Sequence, residues 1–304
     1  MNANRSNGRE LRGSMTAMVT PFTHGEIDWE RIGPLVDRQI EGGTDWLVVS
    51  GTTGETPTMT HEEDRELLKA VLDHVSGRCH VMAGTGSNCT REAVASTKAA
   101  AAIGAEAALV VTPYYNRPTQ EGLFRHYVEV AKAADLPIVI YNVPVRTGVS
   151  IENETILRLH DARPNIVAVK DAGGKPENAT ELRTRSDIVV LSGDDSLTWP
   201  FMSRGAVGVI SVISNLCPDL MKSLVTAALS GDTAAATKAH AKVKDLADAL
   251  ARFGPNPIPI KTAMAIAGLL DDEFRLPLCP LATAARDEIE GILRRHGVLD
   301  AVAL

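Results

Sequence analysis

A lysine at the end of an apolar run is the residue of this sequence best suited to covalent chemistry. Ile166–Val169 is apolar and mainly β-branched, as in a buried strand, and Lys170 follows it directly. An ammonium group at the mouth of such a strand is poorly solvated, and desolvation disfavours its charged form. A neutral lysine amine is a nucleophile that can form a Schiff base with a carbonyl group. The simpler alternative is that Lys170 only ends the strand and extends into solvent.

Strands and helices alternate along the chain, and the strand before Lys170 is one of this series. We predict strands at residues 14–20, 45–50, 79–83, 107–111, 137–141, 166–169, 188–191 and 207–210. Eight strands with intervening helices favour an α/β fold, a (β/α)8 TIM barrel. A doubly wound sheet is the alternative, although no G-x-G-x-x-G motif opens a helix after the first strand.

Short polar residues mark the starts of the helices between these strands. Asp28 is a candidate cap, and Thr60 followed by Glu63 resembles a capping box. Thr90 is predicted to cap a further helix that Gly104 ends, and Thr119 is predicted to begin another. These signals support the alternation on which the barrel prediction rests.

The chain divides into three parts by composition. Residues 1–13 are polar and basic and are predicted to form a flexible tail. Residues 14–230 are predicted to form the barrel and residues 231–304 a C-terminal helical extension. Ala227–Phe253 reads as one helix, and helices resume after a proline-rich break at about residues 261 and 282.

Functional residues are expected where the strands end, because TIM-barrel active sites lie at the carboxyl ends of the strands. The residues that follow the predicted strands are hydroxyl, small or aromatic residues and one lysine: Thr52–Thr53, Gly84–Gly86, Tyr114–Asn116, Tyr141–Asn142, Lys170, Gly193–Asp195 and Ile210–Ser211. They include three of the four tyrosines. A tyrosine–threonine–tyrosine chain could carry a proton to bulk water, so we expect one layer of functional groups around the lysine.

Composition excludes several other function classes. The net charge of −7 and the pI of about 5.7 argue against a nucleic-acid-binding surface. No H-x-H or H-E-x-x-H pattern is present, so no metal site is expected, and Asp194–Asp195 fit a helix cap better than a metal ligand pair. No long apolar run predicts a membrane span. Four scattered cysteines without a C-x-x-C pair, and no export signal, predict a cytoplasmic protein.

Several motifs together resemble those of one known family. They are, in chain order, Gly51–Glu55 (GTTGE), Val111–Pro118 (VTPYYNRP), Tyr141–Gly148 (YNVPVRTG), Val169–Ala172 (VKDA), Leu191–Asp195 (LSGDD), Gly208–Ser211 (GVIS) and Pro255–Pro259 (PNPIP). On these residues the chain resembles the dihydrodipicolinate synthase / N-acetylneuraminate lyase family from about Met15 to the C-terminal helices. The resemblance is greatest to the synthase branch, whose members condense pyruvate with L-aspartate 4-semialdehyde in lysine and diaminopimelate biosynthesis.

The resemblance implies a catalytic set. Lys170 would form the Schiff base with pyruvate, and Tyr141 would donate and accept protons. Thr52 and Tyr115 would complete the proton relay. No metal and no organic cofactor is implied, because the iminium on Lys170 itself serves as the electron sink.

The resemblance also implies how the two substrates are held. Thr53 and the backbone of Ile210 would bind the pyruvate carboxylate, and Gly193 would leave room beside it. Arg146 would bind the carboxylate of the semialdehyde, for which a guanidinium fork is suited. Sialic-acid lyases lack an arginine at this position, so Arg146 favours the synthase branch.

Quaternary structure and regulation are further implications of the family. A homotetramer made of tight dimers is expected, with Tyr115 lent to a neighbouring subunit. A site for feedback inhibition by lysine is implied by His61, Asn88, Glu92 and Tyr114. Asp64 and Pro57 depart from the inhibitor-sensitive pattern, which predicts weak or absent regulation.

Two alternative functions remain open from the sequence. One is a related pyruvate aldolase or lyase acting on a 2-keto-3-deoxy sugar acid or a hydroxy-keto acid. The other is a non-catalytic protein that senses a keto acid. The intact set of Lys170, Tyr141, Thr52 and Tyr115 argues against the sensor, which needs no complete proton relay.

Overall fold

Eight parallel strands close into a barrel in the computed structural model, which describes residues 11–302. The strands are β1 (Gly13–Ala17), β2 (Phe22–Thr23), β3 (Glu26–Ile27), β4 (Trp46–Val49), β5 (His80–Gly84), β6 (Ala107–Val111), β7 (Ile138–Asn142), β8 (Ile166–Asp171), β9 (Val189–Ser192) and β10 (Gly208–Ser211). Strands β2 and β3 form a separate hairpin. The other strands pair in chain order, and β1 closes the barrel between β4 and β10. The TIM-barrel prediction is confirmed, and the doubly wound alternative is wrong.

Helices cover the outside of the barrel and continue beyond it. They are α1 (Trp29–Glu41), α2 (His61–Val75), α3 (Thr90–Ile103), α4 (Gln120–Ala131), α5 (Pro144–Thr147), α6 (Asn153–Ala162), α7 (Glu177–Arg185), α8 (Thr198–Met202), α9 (Pro218–Leu229), α10 (Thr233–Ala251), α11 (Ile258–Ile266), α12 (Thr283–Arg295) and α13 (Val298–Val302). Within residues 11–302, none of these helices is both long and apolar enough to cross a membrane.

Three predicted caps are present as expected. Thr60 and Glu63 form a reciprocal capping box at α2, with the Thr60 amide 2.8 Å from Glu63 Oε2 and the Glu63 amide 3.2 Å from Thr60 Oγ1. Asp28 accepts an amide hydrogen bond at the start of α1, and Thr119 does the same at α4. Each cap satisfies an amide that would otherwise lack an intrahelical partner.

Two predicted helix ends are wrong, each for a local reason. Thr90 is the first residue of α3 and not its cap, because its hydroxyl hydrogen-bonds with His126 Nδ1 at 2.9 Å. The predicted single helix Ala227–Phe253 is split into α9 and α10. Gly231 has φ +80°, which ends the first helix, and the Asp232 side chain caps the second.

The barrel begins slightly earlier than the sequence predicted. Residues 1–10 of the predicted tail lie outside the described residues. Leu11 is buried, and the amide of Gly13 donates to the carbonyl of Val207 at 3.0 Å, so Gly13 already belongs to the barrel. The predicted strand at residues 14–20 ends at Ala17.

The barrel interior is a packed core. Buried side chains from all eight barrel strands fill it, among them Met15, Trp46, Leu109, Leu191 and Ile210. A second cluster joins side chains of α1 and α2 to those of α10, α11 and α12. The C-terminal helices therefore share a hydrophobic core with the helices around β4, and the carboxyl ends of the strands lie above a closed floor.

Candidate active site

Lys170 and Tyr141 lie side by side on neighbouring strands. They are register partners in the parallel pair β7–β8, so both side chains point the same way from the sheet. Lys170 Nζ lies 4.1 Å from the centroid of the Tyr141 ring. Both residues are buried, at 6% and 8% exposure. The strand register alone thus brings an amine and a phenol together at the carboxyl end of the barrel.

Burial changes the chemistry of the Lys170 amine. Desolvation lowers its pKa from the ordinary value of 10.5 to about 7. The negative charge of Asp195 opposes this shift, and the positive charge of Arg146 adds to it. A substantial share of Lys170 is therefore neutral near pH 7, as expected for a lysine that attacks a carbonyl carbon. The alternative that this side chain extends into solvent is wrong.

Burial acts in the opposite direction on Tyr141. It raises the pKa of the phenol to about 12, and the nearby charge of Arg146 partly offsets the rise. The phenol is therefore protonated at neutral pH. A protonated phenol beside a reactive amine can give up a proton to a neighbouring oxygen and take it back, which a general acid–base group must do.

The turn after β4 carries the two threonines predicted to bind substrate and relay protons. Thr52–Gly54 forms one 3-10 turn, in which Thr53 is buried and Thr52 half-buried. The hydroxyl of Thr20 donates to the carbonyl of Gly54 at 2.6 Å and fixes the turn against the strand segment after β1. The turn is thus a rigid part of the barrel rim.

Gly193 leaves space beside the reactive lysine. A Cβ atom at this position would lie 2.9 Å from Ala172 Cβ and 3.1 Å from Lys170 Cγ. Any side chain here would press on the side chain of Lys170. Ile210, the third residue of β10, is 1% exposed and packs in the barrel interior.

Asp195 is a further candidate residue of the site, whose effect on Lys170 the sequence did not indicate. Its carboxylate accepts hydrogen bonds from the amides of Val212 and Ile213, both at 3.0 Å. It is buried, and its charge stabilises the ammonium form of Lys170. Asp194 caps the short turn that follows β9, as its position after a glycine suggested. The described part of the chain contains no group of three potential metal-ligating side chains.

A hydrogen-bond network around Asp171 fixes the end of the lysine strand. Asp171 accepts bonds from Asn142 Nδ2 at 3.2 Å, from the amide of Gly173 at 2.7 Å and from Asn178 Nδ2 at 3.0 Å. Asn142 follows Tyr141, so the network joins the ends of β7 and β8. The sequence motif Val169–Ala172 already included Asp171, the centre of this network.

Two of the three tyrosines expected around the lysine lie at the surface. Tyr115 is 89% exposed and Tyr114 41% exposed, whereas Tyr141 is buried. Tyr115 has φ +72°, and its amide donates to the carbonyl of Thr147 at 3.2 Å. The exposed phenol of Tyr115 therefore packs against little of its own chain, although the backbone hydrogen bond fixes its position. Of these three tyrosines, Tyr141 is the one whose ring lies against the Lys170 amine.

Arg146 connects the barrel rim to the C-terminal helices. It lies in α5, directly after β7, and its Nη2 donates to the carbonyl of Asn256 at 2.9 Å. The guanidinium is exposed, yet its charge lowers the pKa of both Lys170 and Tyr141. An exposed cation close to the reactive pair is a natural site for a substrate carboxylate.

The predicted regulatory residues are only partly brought together. A cavity of about 260 Å³ between α2 and α3 is lined by His61, Asp64 and Glu92, among others. Burial raises the pKa of Asp64 to about 6. Asn88 and Tyr114 are not among the residues that line this cavity.

The sequence and fold were compared with those of known proteins. Residues 10–296 match the profile of the dihydrodipicolinate synthetase family. The chain belongs to this family. A 4-hydroxy-tetrahydrodipicolinate synthase of Geotalea uraniireducens is 46% identical over 291 residues, which cover 95% of this chain and 100% of the relative.

Solved structures of the family share the fold over nearly the whole chain. A chloride-inhibited dihydrodipicolinate synthase from Acinetobacter baumannii, solved in complex with pyruvate, has a TM-score of 0.92 at 42% identity and covers 95% of this chain and 100% of that one. A monomeric dihydrodipicolinate synthase variant has a TM-score of 0.91 at 40% identity, covering 94% and 97%. The family resemblance inferred from the motifs is confirmed.

Proposed function

We propose that this protein condenses pyruvate with L-aspartate 4-semialdehyde to give 4-hydroxy-tetrahydrodipicolinate, a lyase reaction of lysine and diaminopimelate biosynthesis. The observation that carries the proposal is the pairing of Lys170 with Tyr141, in which burial lowers the pKa of the amine to about 7. Membership of the family supports the choice of substrates.

The reaction begins with the neutral amine of Lys170. It attacks the ketone carbon of pyruvate, and loss of water gives an iminium. The iminium withdraws electrons, so the methyl carbon loses a proton and the iminium is converted into an enamine. The enamine attacks the aldehyde carbon of the semialdehyde, whose amine then displaces the lysine as the ring closes. No step of this sequence needs a metal or an organic cofactor.

Tyr141 passes the protons of these steps, with Thr52 and Tyr115 as its relay. The high pKa of Tyr141 supports this role, because the phenol remains protonated until a neighbouring group takes its proton. The exposure of Tyr115 supports a role in a neighbouring subunit. We therefore also propose that the protein assembles as a homotetramer of tight dimers, in which each subunit lends Tyr115 to its neighbour across an interface.

The two substrate carboxylates are held at different places in this proposal. Thr53 and the backbone of Ile210 bind the carboxylate of pyruvate, beside the space that Gly193 leaves. Arg146 binds the carboxylate of the semialdehyde through its two-pronged guanidinium. A sugar acid would offer hydroxyl groups to this cation, which makes the sugar-acid aldolase the weaker assignment. The keto-acid sensor is weaker still, because a sensor does not need a nucleophilic amine.

Lysine is the proposed ligand of the cavity between α2 and α3, and the departures at Asp64 and Pro57 predict that its regulatory effect is weak or absent. Carboxylates of Asp64 and Glu92 line this cavity, and such groups suit an ammonium. His61 belongs to the same lining, whereas Asn88 and Tyr114 lie outside it. Titration of the protein with L-lysine, by calorimetry and in the rate assay, tests the site; a Glu92→Gln variant should lose any binding seen.

The proposed function is tested by trapping and by an aldehyde panel. Borohydride reduction in the presence of pyruvate should add a stable mass to the peptide that carries Lys170. Turnover should then be highest with L-aspartate 4-semialdehyde among several aldehydes. No adduct on Lys170 contradicts the Schiff base, and equal or better turnover with a sugar-type acceptor favours the sugar-acid aldolase.

Sedimentation of the protein measures the assembly, and a monomer would contradict the tetramer. We also propose a cytoplasmic location, which the four free thiols support.

A further inference from the structure

A buried ion pair joins the substrate-binding turn to the C-terminal helices. Glu55 directly follows the Thr52–Gly54 turn, and its carboxylate is hydrogen-bonded to Nζ of Lys261 in α11. Both side chains are fully buried. The ammonium also lies 4.5 Å from the ring centroid of Phe22 and 4.8 Å from that of Phe274. The two charged residues are 206 positions apart in the chain.

Every polar group of Glu55 is committed to a fixed partner. One carboxylate oxygen pairs with Lys261, and the other accepts from the backbone amide of Arg275 at 3.2 Å. The backbone amide of Glu55 donates to the carbonyl of Thr52 at 3.1 Å. Glu55 adopts φ +58°, a backbone conformation uncommon for a residue with a side chain. The Arg275 guanidinium is in turn anchored on Glu63 at 2.7 Å.

The contribution of such a pair to stability is small compared with its effect on geometry. Removing two charges from water costs several kcal/mol per ion, and replacing a buried pair with apolar groups of similar shape is often neutral. Directional bonds from an ammonium and an amide nevertheless fix the carboxylate in one position. Because Glu55 also bonds to Thr52 through its backbone, a shift of the carboxylate would move the turn.

We propose that the Glu55–Lys261 pair positions the Thr52–Thr53 turn for binding pyruvate, so that α11 takes part in substrate binding without touching the substrate. This inference rests on the proposed function, in which the turn holds the pyruvate carboxylate. Glu55 and Lys261 are positioning residues. The shift that their loss causes should weaken pyruvate binding and leave the contact of Arg146 with the semialdehyde unchanged, because Arg146 bonds to Asn256 ahead of α11 and not to the turn.

The test is a double variant, Glu55→Gln with Lys261→Met, which removes both charges and keeps the approximate shape. Its melting temperature, the pyruvate concentration that half-saturates borohydride trapping on Lys170, and the KM for each substrate are measured. We expect the half-saturating pyruvate concentration to rise by about tenfold or more, since displacements on the order of 1 Å have effects of this size. The KM for the semialdehyde should change by less than about twofold, in keeping with a change confined to one substrate.

The matched control removes an ion pair at the opposite end of the barrel. Lys222 and Asp45 pair at 2.7 Å before β4, and the variant Lys222→Met with Asp45→Asn should leave pyruvate trapping unchanged. If the Glu55/Lys261 double variant does not fold, Glu55→Asp alone, which keeps both charges and draws the carboxylate back by one methylene group, is assayed in the same way and should show a selective rise in the same direction.

The outcomes separate the inference from the function on which it rests. Normal half-saturation by pyruvate in a folded variant overturns the inference, as does an equal rise of both KM values or an equal effect in the control. In each of these cases the unmodified protein still forms the Lys170 adduct, and the proposed function stands. Absence of the adduct in the unmodified protein overturns both.

Discussion

The pH dependence of Schiff-base formation should report the pKa of Lys170. Only the neutral amine attacks pyruvate, and burial lowers the pKa of this group to about 7. The neutral fraction is then about one tenth at pH 6 and about nine tenths at pH 8, which gives roughly a tenfold rise in rate. A lysine with its ordinary pKa of 10.5 would instead rise about a hundredfold over this interval and continue to rise.

Rapid mixing with a low concentration of pyruvate, followed by borohydride quenching and mass analysis of the Lys170 peptide, measures this rate. We expect half of the maximal rate near pH 7 and a plateau above about pH 8.5, where the amine is almost fully neutral. A rate that still increased tenfold per pH unit at pH 9 would refute the reasoning, because it would show an amine with an unperturbed pKa.

A substitution at Asp195 tests the direction in which a nearby charge shifts the pKa of Lys170. The Asp195 carboxylate stabilises the ammonium form of Lys170, so Asp195→Asn should lower the lysine pKa further and move the rate profile to lower pH. Asparagine can still accept the amides of Val212 and Ile213. Asp194→Asn is the matched control, because Asp194 is not among the charges that shift the pKa of Lys170, and its profile should keep the original midpoint. A shift to higher pH in Asp195→Asn would contradict the assignment.

Three further predictions concern individual side chains. Gly193→Ala should reduce trapping of pyruvate by about tenfold or more, because its Cβ would lie 3.1 Å from Lys170 Cγ; unchanged trapping would show that the lysine stem can move aside. Arg146→Ala should raise the KM for the semialdehyde by about a hundredfold and change pyruvate trapping far less, and steady-state kinetics with each substrate varied decides this. Gly291→Ala should raise the free energy of unfolding by about 0.5–1 kcal/mol without changing activity, since Gly291 lies in the middle of α12 with only the flexible Arg295 near its Cβ position; denaturant titration that showed a loss of stability would contradict this.

The alternation of strands and helices was readable because it depends on local patterns. β-branched runs and capping residues are set by neighbours in sequence, and the capping box at Thr60 and Glu63 has the expected geometry. The wrongly predicted start of α3 lies where two hydrogen-bond partners compete for one group, which a sequence pattern does not resolve. Thr90 had two possible partners, a helix amide and His126, and the distant one forms the bond.

The candidate site was only partly readable for the same reason. Lys170 stood out because its own strand removes water from it. The motifs likewise singled out Tyr141, Gly193 and Arg146 by position in the chain. That Tyr141 and Lys170 are in contact, and that Tyr115 lies at the surface, depended on barrel closure and strand register.

The sequence by itself therefore determined the barrel class and the family, and it singled out Lys170 as the candidate nucleophile. Tertiary structure decided the electrostatics of the site. Asp195 acts on Lys170 from the turn that follows β9, and Lys261 reaches Glu55 from 206 residues away. Such interactions depend on distance and solvent exclusion in space, and neither is encoded in the spacing of residues along the chain.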